Sequence, residues 1–567
     1  DCDYGTSLDS VFRIYVNPSP EISVMVVEDT ICDGGTSTIT VTSTATLTDG
    51  EILFDYTIED TSGPLTDISG QTTDNGVSPG SFNQTLDNHT DQIQWVEYRI
   101  HPYTDGTSPG ASCDYGTSLD SVFRIYVNPS PRIEVSVVED TICDGGTSTI
   151  TVSSPTGLTS GEILFDYTIE DTSGPLTDIS GQTTDNGVSL GSFNQTLDNH
   201  TDQVQWVEYR IHPYAVNTGS GVDCDYGTNL DSVFRIYVNP APRIFVDAPD
   251  TVLCNDNEVN FSIDHPHLAV GGEWKYELIV EYGNVTGDGI GGTYNTRDPL
   301  TDHLFNPDTF AQEVRYHFIP KIQPGSDGAD CNNPDTDTTI LVWVNPTPEI
   351  QLEAPAAICN DDELFINVES GNGFIRGDWE YRVEVDYADG KVEGLNVGGY
   401  YTAADAFIRD SLTNTDSIPH TVKYIFYPWI LPDDGGDTCF FGITDSVEVM
   451  VDPTPAIRVV ANDTVICNNE EALIRIHNPH QHILGEWVYN LEVIDPSGMI
   501  ENEPASQDSI IIDELRHNLT NLDTIVHEVI YRFTPVIEPT AGLLCEGGQD
   551  TTIVIWVNPT PEIRVSA

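Results

Sequence analysis

Positive charge is what this sequence has least of. Its 567 residues hold 21 Lys and Arg against 91 Asp and Glu, a formal net charge of −70. That balance excludes nucleic acid as a partner, because phosphate binding needs a basic surface. It also argues against docking on anionic lipid. Long apolar runs are missing too: no stretch of 18 residues could cross a membrane as a helix, and nothing at the start reads as a signal peptide. No segment holds a 3.6-residue period between helix caps. The catalytic motifs Gly-x-Ser-x-Gly, His-Glu-x-x-His and the Walker loop are absent, and paired carboxylates are too common to single any out, so no enzyme is expected. Apolar residues are not scarce. At 38% of the chain, with 24 Tyr, 19 Phe and 8 Trp, they suffice for packed cores and exclude a disordered acidic tail.

What fills the sequence instead is repetition. Residues 2–18 read CDYGTSLDSVFRIYVNP, and residues 113–129 read the same. Residues 224–240 differ from them at Asn229 alone, and diverged copies begin at Cys331, Cys439 and Cys545. The intervals between these cysteines are 111, 111, 107, 108 and 106 residues, the size of one immunoglobulin-like sandwich. Each copy closes with an alternating strand, then Asn/Asp-Pro-x-Pro, then a new alternating strand. Proline cannot donate to a sheet ladder, so these prolines read as short, semi-rigid linkers. Boundaries at Pro18, Pro129, Pro240, Pro346, Pro453 and Pro559 give five units: 19–129, 130–240, 241–346, 347–453 and 454–559. Residues 1–18 read as the last strand of a preceding unit and 560–567 as the first strand of a following one, a window cut from a longer array.

Each unit reads as all-β. In the first, strands are expected near 21–27, 37–43, 52–59, 81–86, 93–101 and 121–127, with a polar loop over 63–80 that has room for one more. The expected fold is a tandem array of two-sheet sandwiches arranged end to end as a rod. Period-two alternation puts Val96, Tyr98 and Ile100 on one face, and likewise Val314, Tyr316 and Phe318, Val422, Tyr424 and Phe426, and Val529, Tyr531 and Phe533. A second recurring pair is Trp274 and Tyr276, Trp379 and Tyr381, and Trp487 and Tyr489, with Phe54 and Tyr56 in the first unit. These aromatics are expected in the core rather than on a sugar-stacking surface.

The combination Leu-x-Asn, then Val-x-Tyr-x-Ile/Phe-x-Pro, then Cys, then a strand ending Asn-Pro-x-Pro resembles the PKD-like/Ig-like repeats of Bacteroidota exoproteins. Leu86 to Asn88, Leu412 to Asn414 and Leu519 to Asn521 supply the first element, and Leu304-Phe305-Asn306 departs slightly. Such repeats occur in giant surface adhesins exported by the type IX system, including the gliding-motility adhesin and predatory grappling-hook filaments. The resemblance implies an extracellular structural segment that gives reach and stiffness for cell attachment, gliding or prey capture. Its partners would be neighbouring units, other copies in a bundled filament, and cell surfaces or glycans. A glycan- or cell-binding module, or an enzyme's accessory arm, are the alternatives. The resemblance also implies O-glycosylation at Asp-Ser/Thr followed by an aliphatic residue, which fits Thr30, Thr141, Thr251, Thr464 and Thr524.

The 11 cysteines fall two to a unit plus one, a regularity that points to an oxidising, extracellular setting. Pairing within units is the default: Cys32–Cys113, Cys143–Cys224, Cys254–Cys331, Cys359–Cys439 and Cys467–Cys545, leaving Cys2 over. One objection stands. The first cysteine follows the first strand and the second precedes the last. A simple sandwich puts those loops at opposite ends, while a bond needs Cα atoms within about 7 Å. The alternative runs to the next unit, for example Cys32–Cys224.

Metal-binding signals are weaker. His265 and His267, and His477, His480 and His482, occupy one loop before the tryptophan strand; they read as solvated loop residues, with Zn²⁺ the sharper alternative. Calcium is the cofactor the composition favours, since it takes six to eight oxygens. Its candidates are Asp256 and Glu258, Asp361 and Asp362 after the first cysteine, and the loop pair Asp335 and Asp337. Plain solvating charge is the preferred explanation, so no cofactor is expected, with calcium the alternative. Asn-x-Ser/Thr occurs at Asn83, Asn88, Asn194, Asn199, Asn260, Asn284, Asn462 and Asn518.

Overall fold

The computed structural model describes residues 11–108, 112–219, 223–325, 330–483, 485–539 and 544–566. Cys2 lies outside them. The chain is an all-β tandem array of Ig-like sandwiches. In the first unit one sheet has the order Ser23–Val26, Gly35–Thr42, Gly80–Asn88, Ile68–Ser69. The facing sheet has the order Thr30–Cys32, Ser121–Asn128, Gln94–Asp105, Glu51–Thr61, Asp74–Val77. The expected loop over 63–80 therefore carries two short strands rather than one. Among the described residues the helices are short 3-10 turns, and none is long and apolar enough to cross a membrane.

The opening strand of each unit changes sheets. Ser23–Val26 pairs antiparallel with Gly35–Thr42, and three residues later Thr30–Cys32 pairs parallel with the last strand, Asn128 opposite Cys32. The same crossing brings Ile142 opposite Val238, Leu253 opposite Val344, Ile358 opposite Val451 and Ile466 opposite Val557. It fixes the first cysteine at the far end of its unit, where the chain leaves for the next.

The alternating strands bury the faces their period requires. Val96, Tyr98 and Ile100 are fully buried, as are Val422, Tyr424 and Phe426. Trp274 and Trp379 lie in the cores, so the core reading of these aromatics holds. The first four cores also bury a hydrogen-bonded polar side chain between the sheets. In the third unit Asp302 accepts from Tyr282 Oη at 2.8 Å, Tyr316 Oη at 2.7 Å and the Asp288 amide at 2.8 Å. In the fourth, Asp410 accepts from Tyr387 Oη and Tyr424 Oη, both at 2.8 Å, and from the Leu395 amide at 2.7 Å. In the first two units Gln84 and Gln195 take that place, accepting from Tyr98 and Tyr209.

Candidate functional site

The feature repeated most faithfully outside the cores is the joint between consecutive units. Four disulfides cross it: Cys32–Cys224, Cys143–Cys331, Cys254–Cys439 and Cys359–Cys545, with Cα atoms 5.6, 5.3, 5.2 and 5.2 Å apart. This corrects the default pairings Cys32–Cys113, Cys143–Cys224, Cys254–Cys331, Cys359–Cys439 and Cys467–Cys545. The strand Ser121–Asn128 separates Cys113 from the end where Cys32 sits. Eight residues at about 3.3 Å each is some 25 Å, several times the reach of a disulfide. The second cysteine of the next unit, by contrast, stands where that unit meets its predecessor. Cys467 is exposed and has no disulfide partner among the described residues.

A second element of the joint is the loop before the tryptophan strand. One side chain in that loop accepts the amide that opens its own unit: Thr156 Oγ1 from Arg132, His267 Nε2 from Arg243, Asn372 Oδ1 from Glu349 and His480 Nε2 from Ala456, at 3.1, 3.0, 2.8 and 2.8 Å. The loop then reaches one carbonyl of the preceding unit. Gly157 N–H donates to Asp91 O at 3.1 Å and Gly373 N–H to Thr309 O at 2.9 Å. In the other two joints the donor is imidazole: His267 Nδ1 to Asp202 O at 2.9 Å and His480 Nδ1 to Ser417 O at 3.1 Å. Both histidines are buried, 3% and 8% exposed. Neither is a solvated loop residue or a zinc ligand. Trp274 and Trp487 seal the same corner by donating to Arg243 O and Ala456 O.

The third element is the asparagine of the Asn-Pro-x-Pro linker. Asn239 donates to Gly271 O at 3.0 Å and accepts from the Gly271 amide at 2.6 Å. Asn345 does the same with Arg376, at 3.0 and 2.8 Å. Asn128 is bound to Thr218 O and the Thr159 amide. A side-chain amide thus imitates one rung of a β-ladder across the joint, and all three asparagines are fully buried. A Cβ at Gly271 would stand 2.9 Å from the Thr141 methyl of the preceding unit, so this joint needs glycine there. Sequence reading assigned these positions to linkers. The signal was the invariance of Asn/Asp before the proline, which a linker does not require.

A returning loop adds the fourth contact. Tyr226 Oη donates to Asp33 O at 3.0 Å. Asp434 Oδ2 accepts from the Thr251 and Val252 amides of the third unit at 3.0 and 2.8 Å. Burial pushes the Asp434 carboxyl up, but the amides of Gly436, Val252 and Thr251 together hold it below the usual range. Asp434→Ala is expected to weaken this edge of the joint by about 1–2 kcal/mol. Hydrogen exchange at Thr251 and Val252 should rise about tenfold, and an unchanged rate would remove Asp434 from the joint.

The calcium candidates do not converge. Asp256 is in the left-handed region at φ 62° with its carboxylate 3.5 Å from His303. Glu258 and Asp362 begin their strands, exposed, and Asp361 accepts from Thr413 Oγ1. Asp335 sits in a 3-10 turn at the opposite end of its unit, and Asp337 lies 3.6 Å from His317. Among the described residues no group of three or more His, Cys, Asp or Glu is assembled for a metal. Two Asn-x-Ser/Thr positions, Asn88 and Asn199, are buried and tie the loop after Leu-x-Asn to the last strand. Thr141 and Thr251 lie in joints, against Gly271 and Asp434.

No family model matches this chain, and no curated protein does either. Among solved structures it is similar to the Escherichia coli adhesin FdeC, at 14% identity over 59% of this chain and 99% of that one, with a TM-score of 0.24. An ICAM-5 ectodomain fragment matches at 10% identity over 76% of this chain and 99% of that one, TM-score 0.25. The chain also matches E. coli alpha-2-macroglobulin at 10% identity over 98% of its own length, TM-score 0.17, and spans 41% of that protein.

Proposed function

We propose that this chain is a non-catalytic rod segment of an extracellular surface adhesin, whose work is reach and stiffness. The observation that carries the reading is the joint: disulfides tie consecutive units, and buried backbone-binding side chains close the same corner each time. A chain selected for free articulation has no use for such joints. The disulfides support the oxidising, extracellular setting of this reading. With units bounded as 19–129, 130–240, 241–346, 347–453 and 454–559, each about 35–40 Å long, five reach about 200 Å. The net charge of −70, about −14 per unit, keeps neighbouring copies apart at low salt, so bundling requires cations or a complementary face. Export by a type IX system and service in gliding or prey-capture filaments are the finer form of the proposal.

Immunogold electron microscopy of intact cells, with an antibody raised against residues 19–240, tests it. Label spaced along long extracellular filaments is the expected result. Label confined to the envelope or shed into the medium would sink the filament reading and favour a binding module on a secreted protein.

A further inference from the structure

We propose that acid unlocks two of the four described joints, the second-to-third and the fourth-to-fifth, while the other two stay closed. The inference rests on the joint as the source of stiffness. Its basis is the commitment of both imidazole nitrogens. The Arg243 and Ala456 amides can only donate, so Nε2 of His267 and of His480 must be bare. The Asp202 and Ser417 carbonyls can only accept, so Nδ1 must carry the hydrogen. One neutral tautomer satisfies both partners. A second proton would land on Nε2, face an N–H, and break the bond that seats the loop.

The surroundings of His267 do not favour the cation. Asp202 is 3.5 Å from Arg243, Arg297 is 3.2 Å from Asp264, and His265 stacks beside His267 at 5.7 Å. Burial, aided by the charges of Arg243 and Arg297 and opposed by the bond to Asp202 O and the Asp202 charge, holds His267 below its ordinary value. At the other joint, Asp416, next in sequence to the Ser417 that His480 binds, pairs with His420 and Lys391, and His477 and His482 lie on the histidine's own loop.

The sign follows from linkage. An imidazole freed by opening binds a proton near pH 6.5. At the second-to-third joint the stabilisation is therefore whole above that pH and is lost as the pH falls below it, towards the depressed value at which burial holds His267. At pH 4.5, two pH units lower, the open population rises by up to about 100-fold. The third-to-fourth joint contains its own control. Asn372 makes the same two contacts, accepting from the Glu349 amide and donating to Thr309 O, adds a bond to Thr347 O, and does not titrate.

Hydrogen exchange of the intact oxidised chain, read at the Arg243, Glu349 and Ala456 amides and corrected for intrinsic rates, tests this. Between pH 7.5 and 4.5, protection is expected to fall at least about tenfold at Arg243 and Ala456 and to hold at Glu349. The His267→Asn/His480→Asn variant, which installs the side chain of the third joint, is expected to abolish the response. Equal change at all three amides, no change at any, or a response that survives in the variant would overturn the proposal. Failure here leaves the filament label untouched, whereas failure of the filament label leaves these amides to report as before.

Discussion

Pulled between Cys32 and Cys545, the oxidised chain is expected to stop lengthening at about 400 Å even when every unit has unfolded, against about 1,800 Å after reduction. The four disulfides overlap like the rungs of a ladder, each spanning 185 to 192 residues. The shortest covalent route crosses from Cys32 to Cys224, runs back to Cys143, crosses to Cys331, runs on to Cys359 and crosses to Cys545. It contains about 110 residues, at about 3.6 Å each. A route of equal length uses Cys254–Cys439 in place of Cys143–Cys331. Either inner rung can therefore be lost without lengthening the chain. The Cys254→Ser/Cys439→Ser variant should still stop at about 400 Å in optical tweezers. Pairing within units would make the same two substitutions remove two serial links and let the chain run to nearly 1,000 Å. A result near that value would refute the ladder. Each rung also closes a loop large enough to stabilise its folded pair by about 5 kcal/mol in the chain-entropy model.

Asp410→Ala is expected to destabilise the fourth unit by about 3–5 kcal/mol. The Asp410 carboxylate is fully buried and receives three hydrogen bonds, from Tyr387, Tyr424 and the Leu395 amide. Its loss strands two phenols and an amide between the sheets. Burial, together with the Asp410 carboxylate, already pushes both phenols well above the ordinary tyrosine range, so neither escapes the cost by ionising. Asp410→Asn keeps an acceptor and should cost less, about 1–2 kcal/mol. Denaturation of the intact chain, followed by exchange at the Val422 to Phe426 amides, measures both. A loss below about 1 kcal/mol for the alanine variant would mean that water replaces the carboxylate.

Much of the fold was legible because alternation is a local signal. The strands around Val96, Val314 and Val422 announce their buried faces residue by residue, and the structure buries those faces. Thr30–Cys32 was not legible. It is three residues long, too short to alternate, and it exists only because the last strand, nearly 100 residues later, offers a parallel edge. His267 and His480 were misread for a related reason. Loop histidines look solvated until the preceding unit closes over them.

The sequence by itself determined the length of the repeat, the all-β sandwich, the acidic surface and the spacing of the cysteines, since each follows from composition or from neighbours a few residues apart. It reduced the disulfides to two patterns and could go no further. The tertiary structure decided between them. The opening strand changes sheets, sets Cys32 beside Asn128 at the exit of its unit, and leaves Cys113 a strand's length away. A bond that closes over some 5 Å then has its partner in the next unit, and a string of sandwiches becomes a covalent ladder.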